Sequence, residues 1–452
     1  MYRQQLSYLS QWVKNKHRKP IVIRGARQVG KSTLVRLLSE QCHFDLIALN
    51  FERNPELSEL FKSNDPKKIT QLISLHTGKT IRPGHTLLFL DEIQAAATAI
   101  VALRYFYEEL PALHILAAGS LLEFTLSQAA FSMPVGRIEY LHLGPMTFEE
   151  FLIAVDEKPL AEFIKNYQLN EELPKPIHDK LMALVKIYFI TGGMPESIKA
   201  YLEDQTFLSS EKVKQSILST YRDDFGKYAS PTKHDLIRQV FNKIPTMIGN
   251  KFKYSHINRD IKPVNIATAL NQLCLARVAW KVHHTAANGV PLGAEQNDRF
   301  FKVLFLDIGL ISTHLGLNYL NLMEVEELDL VNNGGLAEQF VGQHLLYSEQ
   351  AYEEPNLYYW VREKKSASAE LDYVINLGQQ IIPIEVKAGK TGQMKSLHLF
   401  LKEKQRSLGV RFNSAPPSQT EVSTKLSNGS PVDFRFISLP LYLVGQVRRL
   451  SA

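Results

Sequence analysis

The stretch that most constrains this chain is Gly25-Ala26-Arg27-Gln28-Val29-Gly30-Lys31-Ser32, which follows the apolar run Ile21-Val22-Ile23 and opens a helical pattern from Ser32 to Glu40. It fits G-x-x-x-x-G-K-[ST] at every fixed position, in the strand–loop–helix setting that gives the pattern its meaning. The glycines let backbone N–H groups turn inward around an anion, and the helix N-terminus adds positive potential. Ala26, Arg27, Gln28, Val29 and Thr33 complete the expected cradle. Lys31 is placed to reach the β- and γ-phosphates of a nucleotide, and the Ser32 hydroxyl to ligate Mg²⁺.

A second feature supports the first. Leu87-Leu88-Phe89-Leu90 runs straight into Asp91-Glu92. A buried strand ending in two acids is the expected partner of a phosphate loop: Asp91 holds Mg²⁺, and Glu92 polarises the attacking water as general base. An acid pair there could instead cap the next helix. A Glu after the Asp favours hydrolysis over phosphoryl transfer to a small molecule, because water needs a base. The run Ile115-Leu116-Ala117-Ala118 ends in Gly119-Ser120, so Ser120 reads as a γ-phosphate sensor or as a helix cap. Arg137, after Pro134-Val135-Gly136, reads as an arginine finger or as one side of a surface ion pair.

The runs at 21–23, 46–49, 87–90 and 115–118 are short, apolar and unalternating, which is how strands buried on both faces read. With helical spacing at Leu34, Leu37, Leu38 and Cys42 between them, the first 155 residues predict an α/β domain, a parallel sheet with helices on both faces. Residues 156–210 read as a helical lid, broken at Thr191-Gly192-Gly193-Met194-Pro195.

Residues 211–325 change character. Leu236, Val240 and Ile244 mark one helix, Ile257 a short element, and Ile266, Leu270 and Leu273 a third. Strands are expected at 278–282 and 299–306, so the pattern is winged-helix-like. Charge concentrates here: residues 211–320 carry 15 Lys/Arg against 8 Asp/Glu, while the chain as a whole is +6. Between 233 and 281 the acids are only Asp235 and Asp260, against Lys233, Arg238, Lys243, Lys251, Lys253, Arg259, Lys262, Arg277 and Lys281. Such a stretch expects an anionic partner, DNA first, with Asn265, Thr268, Asn271 and Gln272 facing bases. A solvated basic face or a protein-contact module is the alternative.

Residues 326–452 predict a helix at 335–347, paired strands at 370–375 and 381–387, a helix at 393–404 and a polar loop over 409–430. Asp372, Glu385 and Lys387 form D-x12-E-V-K. Glu385 and Lys387, two apart on a strand, share a face. Glu338 on the preceding helix completes an acid cluster suited to Mg²⁺ or Mn²⁺, with Lys387 beside it. Glu370 lies on the same strand face as Asp372, and Gln393 is a helix glutamine of the kind some nucleases carry.

The order of these segments is similar to a large prokaryotic ATPase family that joins an AAA+ module to a C-terminal domain of uncharacterised role. The resemblance rests on the phosphate loop, the strand with Asp91-Glu92, Ala117-Ala118-Gly119-Ser120, Gly136-Arg137 and Leu143 to Phe151. It continues in 191–195, in Phe301 to Leu310 and in Ile384-Glu385-Val386-Lys387. The resemblance implies ATP binding, a winged-helix-like middle and a C-terminal α/β domain like a restriction endonuclease, of the PD-(D/E)XK kind. Expected partners are ATP with Mg²⁺, DNA, and further copies of the chain or another protein. The alternative is a nucleotide-dependent switch or scaffold with an inert C-terminal fold. Cys42 and Cys274 are the only cysteines, no apolar run is long enough to span a bilayer, and no leader pattern precedes the first domain. A cytoplasmic protein without a membrane partner is expected.

Overall fold

Strands of a parallel sheet leave their C-terminal ends free to carry loops, and the first third of the chain builds such a sheet. The computed structural model describes residues 1–120, 122, 134, 136–225, 231–317, 334–362, 369–389, 394–426 and 429–452. They form two compact units. The first holds residues 1–144, 275–277 and 349–354, and the second the remaining described residues.

In the first unit, β1 (Ile21–Arg24), β2 (Asp45–Asn50), β3 (Thr86–Asp91), β4 (His114–Gly119) and β5 (Glu139–His142) pair in the order β2-β3-β4-β1-β5. Every pairing is parallel. Helices Gln5–Lys14, Lys31–Gln41, Pro66–Thr77 and Ala97–Glu109 belong to this unit. One core cluster gathers Val22, Leu88, Leu90 and Ala117 from the strands with Ile69, Ile73, Leu103 and Phe106 from the helices. The order brings the ends of β1, β3 and β4 side by side. Those are the ends that carry the phosphate loop, Asp91-Glu92 and Ser120.

The second unit is built on one mixed sheet of β6 (Ala279–Thr285), β7 (Gln296–Phe305), β8 (Tyr358–Val361), β9 (Glu370–Leu377), β10 (Gln380–Val386), β11 (Leu408–Asn413), β12 (Ser418–Lys425) and β13 (Pro431–Pro440). The order is β12-β13-β11-β10-β9-β8-β6-β7. The hairpin β9–β10 turns over Gly378-Gln379, with Gly378 at φ +56°, a left-handed value a two-residue hairpin turn uses. The expected wing strands do form an antiparallel hairpin, β6–β7, but β6 also pairs with β8. The hairpin is thus the edge of the C-terminal sheet, and the boundary expected between 325 and 326 does not divide that sheet.

Three helices precede β6 much as expected: Pro231–Lys243, a 3-10 turn Tyr254–His256, and Pro263–Leu275. The helices expected as a lid, Lys158–Asn166, Lys175–Thr191 and Pro195–Asp204, belong to the second unit from residue 145 onward. Aromatic contacts explain this. Tyr188 stacks edge-on against Phe148, Phe151 and Phe340 in a buried cluster.

The loop expected over 409–430 is corrected: it holds β11 and β12. Val410 and Phe412 are buried in β11, which pairs with both β10 and β13. No helix among the described residues is long and apolar enough to cross a membrane.

The segments 191–195 and 301–310 interlock in the second unit. Asp307 is fully buried and accepts hydrogen bonds from the Gly193 N–H (2.6 Å) and the Leu310 N–H (3.1 Å). Burial pushes its carboxyl above the usual range, and these two donors pull the other way. A Cβ at Gly192, already at φ +71°, would lie 2.1 Å from Asp307 Oδ1, so only glycine fits.

Candidate functional site

The phosphate loop closes between β1 and helix Lys31–Gln41, with Gln28 at φ +63° and Gly30 at φ +95°. Gly25 is required by space: a Cβ there would stand 2.2 Å from the Leu143 carbonyl oxygen. Arg3, buried, holds the loop from behind, donating to Val29 O (2.7 Å) and Gly144 O (2.8 Å). Composition and spacing give no signal for Arg3, because its partners are backbone carbonyls.

Within the cradle, Lys31 Nζ donates to Gly25 O (3.0 Å) and Ala26 O (2.8 Å). Ala26 and Val29 are buried, Arg27 is half-buried and pairs with Glu52 (3.6 Å), and Thr33 is exposed. Ser32 Oγ donates to Asp91 Oδ2 (3.1 Å), and Asn50 Nδ2 reaches the same oxygen (3.3 Å). Burial, with the Glu92 charge beside it, holds the Asp91 carboxyl above the usual carboxylate range, and the Ser32 bond and Lys31 oppose this. Ser32 and Asp91 therefore present a hydroxyl and a carboxylate side by side, a donor set that fits Mg²⁺.

Glu92 takes φ +52°, a left-handed conformation that costs a non-glycine residue energy. Its carboxylate is held from two sides: Gln94 Nε2 donates at 2.6 Å and Ser120 Oγ at 3.3 Å, both to Oε2. Gln94 Oε1 is buried, without a hydrogen-bond partner among the described residues, and faces Gly119, where a Cβ would come within 2.3 Å. Asn50 and Gln94 were not among the expected site residues. Each sits at the C-terminal end of a strand or just after it, the zone where parallel sheets place function. Arg137 donates from Nε to Glu108 Oε1 (2.9 Å), a carboxylate shared with Arg104 (3.2 Å).

In the second unit Glu338 and Asp372 meet Glu370 around a residue the sequence did not single out, while Glu385 pairs with Lys387. Lys302, on β7 and only 3% exposed, reaches Glu370 at 2.7 Å, Glu338 at 3.2 Å and Asp372 at 3.4 Å. Asp372 Oδ2 accepts the Val386 N–H at 2.8 Å, and Lys387 Nζ lies 2.7 Å from Glu385 Oε1. Burial, with Asp372 adding to it, pushes Glu338 up to about 8 and Glu385 up to about 7. Among the described residues no group of three or more His, Cys, Asp or Glu side chains is arranged to hold a metal ion. The divalent-metal set expected from Glu338, Asp372 and Glu385 does not fit, because an ammonium stands among the carboxylates. Gln393 lies outside the described residues.

On the basic segment, Lys233, Arg238, Lys243, Lys253, Arg259 and Lys262 are exposed. Helix Pro263–Leu275 buries Ile266, Ala269, Leu270 and Leu273 and leaves Asn265, Thr268 and Asn271 outward. Gln272 is half-buried, Lys251 pairs with Glu370, and Arg277 belongs to the first unit, where it pairs with Glu354.

Sheet order, phosphate loop and acid pair define the first unit as a P-loop NTPase fold. The match is specific at the level of the domain: residues 17–152 match a family model described as an AAA domain. Residues 182–321 and 333–425 match two models, each described as a domain of unknown function (DUF8612 and DUF4143). No curated protein matches the chain. Among solved structures, the chain is similar to the ORC2 protein of Aeropyrum pernix in its ADPNP-ADP complexes, at 13% identity over 72% of this chain and 93% of that one, with a TM-score of 0.35. It is also similar to the Aeropyrum pernix ORC1 protein in complex with DNA, at 9% identity, 71% and 94% coverage and a TM-score of 0.28. For C. elegans PCH-2 the identity is 12%, the coverage 40% and 56%, and the TM-score 0.24. Scores this low do not establish a shared fold, and the assignment to an AAA-type P-loop domain stands on the family match and the site.

Proposed function

We propose that the chain is an AAA+-type ATPase that binds ATP with Mg²⁺ at the phosphate loop, hydrolyses it, and couples hydrolysis to engagement of DNA. The observation that carries the first part is the continuous set of contacts joining Ser32, Asp91 and Asn50 on one side to Glu92, Gln94 and Ser120 on the other. In this reading the loop N–H groups and Lys31 bind the phosphates. The Lys31 ammonium exchanges the Gly25 and Ala26 carbonyls for phosphate oxygens, a stronger charge-assisted pairing. Ser32 and Asp91 would hold Mg²⁺, which supplies neutralisation of the phosphate charge. Glu92 takes a proton from the attacking water as Gln94 and Ser120 fix its carboxylate.

DNA engagement is supported by the exposed cations of residues 233–262 and by the outward polar face Asn265, Thr268 and Asn271. Phosphates would meet the cations, and base edges the polar face. The test is ATP turnover with and without duplex DNA, with Lys31→Ala as control. DNA should raise turnover by wild type at least threefold and leave the variant inactive. Wild-type turnover indifferent to DNA of any sequence, with ATP binding intact, would remove the coupling. The second reading, a nucleotide-dependent switch or scaffold, is favoured for the C-terminal part by the lysine inside the acid cluster.

A further inference from the structure

We infer that Lys302 is a built-in cation that takes the place of a divalent metal among Glu338, Glu370 and Asp372, so that this centre works as a closed ionic lock and not as a metal-dependent nuclease site. Three carboxylates from two elements, helix Gly335–Leu346 and strand β9, converge on one ammonium from β7. Such convergence is what a metal would otherwise provide. Lysine supplies a single positive charge and three N–H donors, enough for three acceptors. Its burial would favour the neutral amine, but the surrounding carboxylates outweigh that and hold it protonated.

Three further oxygens of the acids are engaged by other groups. Asp372 Oδ2 is taken by the Val386 N–H, Glu385 Oε1 by Lys387, and Glu370 Oε2 by Lys251 at 3.4 Å. Among the described residues Glu385 Oε2 is buried without a hydrogen-bond partner, and one oxygen does not chelate. Mg²⁺ demands near-octahedral oxygens at about 2.0–2.1 Å, with its waters retained, and cannot share that volume with an ammonium. To enter, it would have to expel Lys302 into a buried, uncompensated position, which is costly. The lock has a mechanical meaning too. Lys302 on β7 and the acids on helix Gly335–Leu346 and β9 lie on either side of the expected 325/326 boundary. The cluster therefore fastens the β6–β7 hairpin to the C-terminal strands.

The inference is independent of ATP hydrolysis and is tested apart from it. Mn²⁺ binding is measured by electron paramagnetic resonance on nucleotide-free wild type, Asp372→Asn, Lys302→Ala and the Lys302→Ala/Asp372→Asn double variant. Wild type and Asp372→Asn should bind Mn²⁺ alike, since neither offers the cluster to a metal. Lys302→Ala, which vacates the space of the ammonium, should gain one site at least tenfold tighter than any in wild type, and the double variant should lose it. Wild-type binding that disappears in Asp372→Asn would overturn the inference, as would a folded Lys302→Ala that gains nothing. Should Lys302→Ala fail to fold, the wild-type and Asp372→Asn pair still decides whether the native cluster takes a metal.

Discussion

Glu92 is held in a left-handed backbone conformation while Gln94 and Ser120 both donate to one of its oxygens. A residue kept there against its steric preference is a residue whose aim matters. Gln94 sets that aim, and Gly119 leaves it the room. A hydrogen bond to a charged group contributes about 1.5–3 kcal/mol, which corresponds to roughly a 10- to 100-fold change in rate. Gln94→Ala should therefore lower kcat for ATP by about that range while KM stays within about twofold. Unchanged kcat would show that Gln94 is packing only. Most of this site could be read in the sequence, because Gly25, Gly30, Lys31, Ser32, Asp91 and Glu92 are fixed by spacing along a single loop or strand end. Arg3, Asn50 and Lys302 could not, because each meets its partners only through the fold. Lys302 and Asp372 lie 70 positions apart, and no local pattern joins them.

At the scale of elements, β1 to β4 are legible as apolar runs; β1, β3 and β4 are buried on both faces, whereas the edge strand β2 leaves Ala48 exposed and Leu46 half-buried. β5 is not legible, since Glu-Tyr-Leu-His has neither a run nor an alternation. β12 is an edge strand with polar residues on both faces, so Ser418 to Lys425 looks like loop until β13 pairs with it. β13 did alternate, burying Val432, Phe434 and Phe436 around Asp433 and Arg435, and that signal was available.

The helix Gly335–Leu346 carries a further consequence. His344 Nε2 accepts the Phe148 N–H at 2.9 Å, and Nδ1 faces Phe340 O at 2.7 Å, so the neutral Nδ1–H tautomer fits both. Burial brings its pKa down to about 4. Between that value and the ordinary 6.5, the unfolded chain binds a proton that the folded chain refuses, so stability falls as pH falls. The contribution is complete above pH 6.5 and is lost as pH drops toward 4. Thermal melts across this window should show a smaller decline for His344→Gln than for wild type. Parallel declines would contradict the assignment. His114 and His142, also brought down to about 4 by burial, keep a residual slope in both proteins.

For the whole molecule, the division into two units assigns the chemistry. The phosphate loop and the residues around it lie in the first, their contacts among the described residues running from Arg3 to Gly144. The basic face between 233 and 262 and the Lys302 lock lie in the second. The segments at 191–195 and 301–310, part of the family resemblance, turn out to be structural, joined by Asp307 and the paired glycines. That hydrolysis takes place at this phosphate loop, with Glu92 as its base, is the claim on which the proposed function depends. Steady-state ATP turnover by Glu92→Gln, beside direct ATP binding by the same protein, tests it most directly. General-base loss is typically about 10²- to 10⁴-fold. The variant should therefore bind ATP with Kd within about threefold of wild type and turn it over at least about 100-fold more slowly. Turnover that survives the substitution would contradict the account.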